Sequence, residues 1–527
     1  MNKFLTFFAS ALVGMSLHAQ QEVLTTNHWR IPVLNEKGVF YDDGSEAKGL
    51  SFDGNTLIYA SNFWFSGYNQ DGDRKTIYET FYPTGDAAYE KGTMNTNRFR
   101  AARSLVKVSS QEIEAHKANY SDPNYTVPFS IKFWPAQGDT SIGEMANMAP
   151  FVDFNKNGIY DPENGDYPDI VGDQIIYQIK NDNGMPAHLR MGVEKHLQIF
   201  TITPQTEEES VLENVVFVNV ELYNRGMHEF DLLKSGFWMD FDIGFANDDQ
   251  YGSDSTRGIA YAYNGDADDE DAWGSNPPAL AVASFGCGIS GNVSLEGFSA
   301  FALDTAIHEA LSAIDNGECM RKSGNGFNGD PNAPVTRYAF DGDAISGTGW
   351  TPENAGVPQG DKRSLVLLNG KSFMPGEKIG FTLAIAIGKD TTFTNYLRNI
   401  NVAKDNVEEA LALLESKYGD HPLLASSKQC GNIQDDESCA TTTEISDYES
   451  DIQVGLYPNP VSNELNITSG QIIKTAAVWS TDGKRVFEGS VNKKDFKIDL
   501  SGLDRGMYIL ELTNKAGTRV RESFLKQ

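Results

Sequence analysis

Basic residues are scarce: 43 lysines and arginines face 73 acidic residues, a formal net charge of −30 over 527 residues. Such a chain repels phosphate backbones and anionic headgroups at long range, which argues against nucleic acid and bare membrane as partners. Cysteine is scarcer still, with four in all and no CxxC pair, so neither a redox dithiol nor a zinc knuckle is indicated. No segment beyond the N-terminus approaches the roughly 20 consecutive apolar residues of a spanning helix, so no transmembrane segment is expected. Hydrolase motifs are missing too. There is no G-x-S-x-G and no H-E-x-x-H, and His28, His116, His188, His196, His228, His308 and His421 lie scattered without metal-ligand spacing.

What is present begins with an export signal. Lys3 precedes an apolar run through Phe4, Leu5, Phe7, Phe8, Leu12, Val13 and Leu17, ending in His18-Ala19, so residues 1–19 read as a signal peptide. Export permits disulfides. Cys430 and Cys439 enclose a short polar loop and are close enough to pair, which leaves Cys287 with Cys319; buried free thiols are the alternative for that second pair.

Residues 20–425 read as a β-rich core of one or two subdomains. In VVFVNVELYN, Val216, Val218, Val220 and Leu222 share one face while Val215, Phe217, Asn219 and Glu221 share the other, the period of two of a strand with a buried side. QIIYQIK, HLQIFTIT, ALAVASFG and FTLAIAIG read alike, and the loops between them are rich in Gly, Asp, Asn and Pro. One helix is expected over 394–418, where Leu397, Ile400, Ala403, Val407, Ala410, Leu411 and Leu414 recur at three- and four-residue steps. The fold class is thus mainly β: a large sandwich-rich core with this one helix, a polar linker over 426–452, and a small immunoglobulin-like sandwich of about seven strands over 453–527.

In the last segment two prolines flank Asn459 in LYPNPVSNELNI, which makes a rigid extended lead-in, and Gly483 and Gly506 stand where turns are needed. This run, with TDGKRVFEG, IDLSGLDRGMYIL and a terminal strand ending FLKQ, resembles the C-terminal sorting domain of type IX secretion cargo in the Bacteroidetes. The matching positions are Tyr457, Pro458, Asn459 and Pro460 in the opening turn, Asp482 and Gly483 in a hairpin, and Leu503, Gly506 and Tyr508 in L-x-x-G-x-Y. The resemblance implies export across the outer membrane, with the type IX translocon and outer-membrane processing machinery as partners and a secreted or cell-surface destination. Core segments such as GDYPDIVGDQIIYQIKND, VFVNVELYNRG and FDGDAISGTGWT are similar to pieces of poorly characterised exported Bacteroidetes proteins, which implies a shared β scaffold and no particular activity.

Two acidic stretches remain. In DFNKNGIYDPENGD, oxygen-bearing residues at alternate positions precede a glycine, which points to calcium held by Asp153, Asn155, Asn157, the Ile159 carbonyl, Asp161 and Asp166. The twelfth loop position is Asn164 where an EF-hand has glutamate, and the flanks are not helical, so the metal would be a structural clip; turn capping by Asn and Asp is the metal-free alternative. Between Asp240 and Asp271 a second, weaker calcium set is Asp240, Asp242, Asp248, Asp249 and Asp254, against a solvated acidic loop. Phe63, Trp64, Phe65 and Tyr68 read as a half-buried strand, with Trp64 as a sugar platform the competing reading. The leading expectation is a calcium-stabilised, non-enzymatic exported protein with an adhesive, glycan-contacting or structural role; the alternative is a polysaccharide hydrolase using a carboxylate pair.

Overall fold

A computed structural model describes residues 21–35, 37–42, 49–79, 89–95, 104–295, 304–392, 394–431, 454–480, 484–514 and 519–527. The expected signal peptide, most of the expected linker and the Asp482-Gly483 turn lie outside them. The chain divides into two compact units, Met1–Cys439 and Ala440–Gln527.

Two large antiparallel sheets dominate the described residues of the first unit, beside three two-stranded ladders. One has eight strands among the described residues, with Asn55–Tyr68, Phe230–Phe241 and Arg363–Phe373 adjacent at its centre. The other has nine, with Gln174–Asn181, Val193–Thr201, Val215–Asn224 and Lys378–Gly388 adjacent. The alternation in Val215–Asn224 sorts its side chains between two cores. Val216, Val218, Val220 and Leu222 join the larger cluster, which includes Phe63, Trp64, Phe65, Phe237 and Trp238, whereas Val215 and Phe217 join a second cluster. Both faces are buried, but only the first is apolar throughout, since Asn219 and Glu221 follow Val215 and Phe217 on the second.

The helix Asn399–Tyr418, preceded by a 3-10 turn at Tyr396–Arg398, supplies much of that second cluster. Ile400, Ala403, Val407, Ala410 and Leu414 are buried, while Leu397 and Leu411 are partly so. The helix lies so close to the sheet that a Cβ on Gly388 would fall 2.2 Å from the Ala403 nitrogen. Only glycine permits that approach. A second helix, Ser110–Asn119, opens with a capping box in which Ser109 and Glu112 satisfy each other's backbone N–H groups. The next fifty or so residues carry little regular structure; Ile131, Trp134, Ala136, Ala149 and Val171 pin them into the second cluster.

The disulfide pairing differs from the sequence expectation. Cys287 bonds to Cys430 with Cα atoms 5.2 Å apart, so Cys430 does not pair with Cys439 nor Cys287 with Cys319. The cause is the 3-10 segment Pro422–Lys428, whose Ser426 and Ser427 are buried rather than in a free linker. Ser427 Oγ lies 2.7 Å from Thr382 Oγ1 on Lys378–Gly388, and its carbonyl oxygen lies 3.2 Å from Cys287 Sγ, so the chain is already beside Cys287 when it reaches Cys430. Cys319 is also disulfide-bonded, and Cys439 lies outside the described residues.

Among its described residues the second unit is an antiparallel sheet of five strands, where about seven were expected. LNI and AAVWS are parts of one long strand, Glu464–Ser480, which pairs along its length with Arg485–Asp499; register shifts between Thr468 and Thr475 mark the bend. Such irregularities let one strand serve two halves of a folded sheet.

Candidate metal sites and the C-terminal domain

The Asp153 loop closes over a two-residue ladder in which Phe151 pairs with Pro168 and Val152 with Tyr167. Asp153 accepts the N–H groups of Asn157 (3.1 Å) and Gly158 (2.7 Å). Asn155 Oδ1 accepts the N–H of Asn157 at 3.0 Å and Asn157 Oδ1 that of Ile159 at 2.7 Å. The side-chain amides of Asn155, Asn157 and Asn164 donate to Asp161 at 2.8–2.9 Å. Asp166, fully buried, accepts the N–H groups of Phe154 and Asp161 at 2.9 Å each. Positive φ at Lys156 (61°) and Gly158 (78°) makes the turn. Asp153, Asn155, Asn157, Asp161 and Asp166 therefore share one hydrogen-bonded loop, with Ile159 at its exposed tip. Hydrogen bonds from Asn164, then from Asn157, Asp166 and Asn155, hold the exposed Asp161 below the usual carboxylate range. Burial pushes Asp166 up, against the N–H groups of Asp161 and Phe154. All the side-chain donors are hard oxygens, and amide rotation can turn the asparagine carbonyls inward toward a cation.

The five residues of the weaker set do not converge on one point. Asp254 ends the strand Asp249–Asp254 and meets Lys404 of the long helix at 2.8 Å. Burial alone would raise its pKa, but hydrogen bonds from Lys404 and Thr256 hold it down at about 2. It belongs to that ion pair and not to the rest of the set. Asp240 faces Arg363 across the strand pairing, its Oδ1 2.9 Å from Nε, while Arg363 also reaches Asp361 at 2.8 Å. Asp240, Asp242 and Asp361 bring one oxygen each within 4.8 Å of one another. Burial raises Asp240 to about 7 and Asp242 to about 8, only partly offset by Arg363. Asp361 was missed in the sequence because strand register, not proximity in the chain, delivers it. Asp248 lies beside Asn264, Glu270 and Asp269. The fully buried Asp249 accepts the Ile243 N–H at 3.2 Å and stands close enough to both Asp242 and Asp248 for burial and then each of their charges to push it up.

Trp64 is fully buried, as are Phe63 and Phe65. Its ring stacks on Trp238 at 5.9 Å and its Nε1 donates to the Glu79 carbonyl, so it presents no platform to a sugar. His196 is also fully buried, 2.8 Å from the Tyr177 hydroxyl and 3.6 Å from Glu194, in an interior polar group that the histidine spacing did not reveal.

In the second unit the motif residues converge on the last strand. Asn459 Oδ1 accepts the N–H of Leu525 at 2.9 Å, and Val461 exchanges backbone hydrogen bonds with Leu525 and Gln527. The prolines leave the turn few N–H groups of its own, and the terminal strand Arg519–Lys526 supplies the partners. Tyr508 stacks on Phe524 at 5.8 Å and donates its hydroxyl to the Asp504 carbonyl, while Leu503 packs against the small core and Gly506 opens the strand Gly506–Asn514. Tyr457 stays exposed.

Residues 455–526 match the secretion system C-terminal sorting domain family. No curated protein matches the chain. Among solved structures, a polysaccharide lyase aligns with a TM-score of 0.18 at 9% identity over 63% of this chain and 34% of its own. A biofilm-associated protein domain aligns with 0.14 at 9% identity over 67% and 59%, so the chain spans about a third and under two thirds of these two. A surface component of the type IX secretion system of Porphyromonas gingivalis aligns with 0.14 at 10% identity over 97% and 74%. Likenesses this slight carry no argument. No helix among the described residues is long and apolar enough to cross a membrane. The C-terminal unit is a type IX secretion sorting domain, which makes this chain a Bacteroidetes cargo protein of that machinery, exported to the cell surface or released.

Proposed function

We propose that the first unit works outside the cell as a calcium-clipped β scaffold with an adhesive, glycan-contacting or structural role. The Asp153 loop carries this reading. It sits in the long irregular excursion after Ser110–Asn119, where a two-residue ladder and side-chain hydrogen bonds supply the backbone order and a cation bound by Asp153, Asn155, Asn157, Asp161 and Asp166 would add to it. Sites of this kind in extracellular proteins bind calcium with Kd on the order of 10⁻⁴–10⁻³ M. At about 10 mM calcium and Kd of about 10⁻⁴ M, mass action adds about 2.7 kcal/mol. Thermal melts of the purified protein should therefore rise by a few degrees with calcium and fall back with EDTA, and Asp153→Asn should blunt the rise. A melt indifferent to both would remove the clip, and a glycan panel read with and without calcium tests the contact role.

One observation favours a second reading, a polysaccharide hydrolase. Asp240 and Asp242 are adjacent carboxyls raised to about 7 and about 8 by burial, the state a general acid needs. Hydrolysis of any polysaccharide in a panel, abolished by Asp242→Asn, would establish it.

A further inference from the structure

We propose that Asp248, Glu270 and the side-chain oxygen of Asn264 form a binding site for one hard divalent cation, calcium, distinct from the Asp153 loop. Pairing of Asp249 with Asn264 sets the ends of two neighbouring strands side by side, and the chain beyond Asn264 folds back over them. Asp248 is only 2% exposed, and neither of its buried carboxylate oxygens has a hydrogen bond of good geometry; the Asn264 amide is the one donor that bears on it. Asn264 is fully buried; its amide nitrogen donates to the Asp266 carbonyl at 3.2 Å, and its Oδ1 has no partner. The side chains that bear most strongly on Asp248 are Asn264, Glu270 and Asp269, none of them basic.

Asp269 shapes the loop and is not counted among the ligands. Its oxygens accept the N–H groups of Phe245 (2.6 Å), Ala272 (2.8 Å) and Trp273, which curls the loop over the strand ends. Gly244, with φ of 80°, is required beneath it, since a Cβ there would lie 2.2 Å from Asp269 Oδ1. The fold thus commits close backbone packing to holding the buried Asp248 beside Glu270, and a buried carboxylate without a counter-charge is costly.

Two arrangements would relieve that cost. A proton shared by Asp248 and Glu270 would satisfy one oxygen of Asp248 and leave the other to the poorly aligned Asn264 amide, with Asn264 Oδ1 still unpartnered. A cation between Asp248 and Glu270 would answer both carboxylates, and rotation of the Asn264 amide would turn its unpartnered oxygen toward it. Two carboxylates and an amide oxygen, with no nitrogen or sulfur donor, select a hard cation, and calcium tolerates an irregular oxygen set better than magnesium.

Equilibrium dialysis of the purified full chain against calcium chloride gives the stoichiometry. Asp248→Asn should bind one calcium fewer per chain than the unaltered protein, and Asp153→Asn should separately lose a different one. Glu270 is exposed and repels Asp248, so Glu270→Gln should not lower the metal-free melting temperature while weakening one site at least tenfold. Unchanged stoichiometry in Asp248→Asn together with unchanged affinity in Glu270→Gln would overturn the site and favour the shared proton. Loss of binding in Asp153→Asn bears only on the clip, so the two readings fail independently.

Discussion

Removing Glu79 should cost the first unit a large part of its stability. The carboxylate is buried, with Lys180 Nζ at 3.4 Å and Lys195 Nζ at 3.7 Å, and it accepts hydrogen bonds from Asn62 Nδ2 at 2.7 Å and the Tyr89 N–H at 3.2 Å. Burial would raise its pKa, but the two lysines, Asn62 and Tyr89 hold it below the ordinary value. Lys195 is more exposed to the loss. Burial drives it down from 10.5 to about 7 even with Glu79 pulling it up. Glu79→Gln leaves two lysines in the interior without their carboxylate, a change that costs about 3–5 kcal/mol against a total of about 5–15 kcal/mol. The pH dependence has a fixed sign. Between about pH 7 and 10.5 the unfolded chain holds a proton on Lys195 that the folded chain has released, so this group makes stability rise with pH; below about pH 7 both states hold it and the cost of the buried charge is fully present. Without Glu79 the folded pKa falls further, and the rise begins at lower pH. Urea titrations followed by tryptophan fluorescence at pH 6, 7.5 and 9 measure both effects, and Trp64, bonded to the Glu79 carbonyl, is a local reporter. Adding Lys195→Met to Glu79→Gln should recover part of the loss. A Glu79→Gln midpoint within about 0.5 kcal/mol of the unaltered protein would refute the reasoning, since surface-like pairs behave that way and buried ones do not.

Two further outcomes follow from the covalent and sorting features. The Cys287–Cys430 bridge closes 143 residues, for which the chain-entropy relation gives about 5 kcal/mol, so the Cys287→Ser/Cys430→Ser double variant should melt well below the oxidised protein; equal melting temperatures would mean that the unfolded chain is already restrained. In the sorting domain, Tyr508→Ala removes the ring stacked on Phe524 and loosens the last strand by about 3–5 kcal/mol, which should leave the full chain in the periplasm; undiminished appearance outside the cell would show that the translocon reads the terminal strand without its packing.

How far the sequence foretold these features depended on the range over which each is built. The strand Val215–Asn224 and the helix Asn399–Tyr418 declare themselves by period because each buries a whole face. The helix Ser110–Asn119 does not, since only Ile113 and His116 turn inward; its capping box, Ser109 to Glu112, was the one readable signal. The Asp153 loop is legible because its donors and acceptors lie within one turn-rich segment, so local hydrogen bonds alone bring them together. The second acidic stretch obeys another rule. Asp242, Asp248 and Asp254 recur at equal spacing in similar company, yet one joins Asp240 and Asp361, one is left without a well-aligned donor beside Asn264, and one is bound to Lys404. Nothing local distinguishes them. Their surroundings come from strands and a helix far along the chain, whose register is set by the apolar residues between the sheets, so the chemistry of these aspartates is a consequence of how the core packs. The cysteines follow the same logic: Cys439 is the nearer partner in sequence, but the buried Ser426-Ser427 segment delivers Cys430 to Cys287 before the chain can turn back.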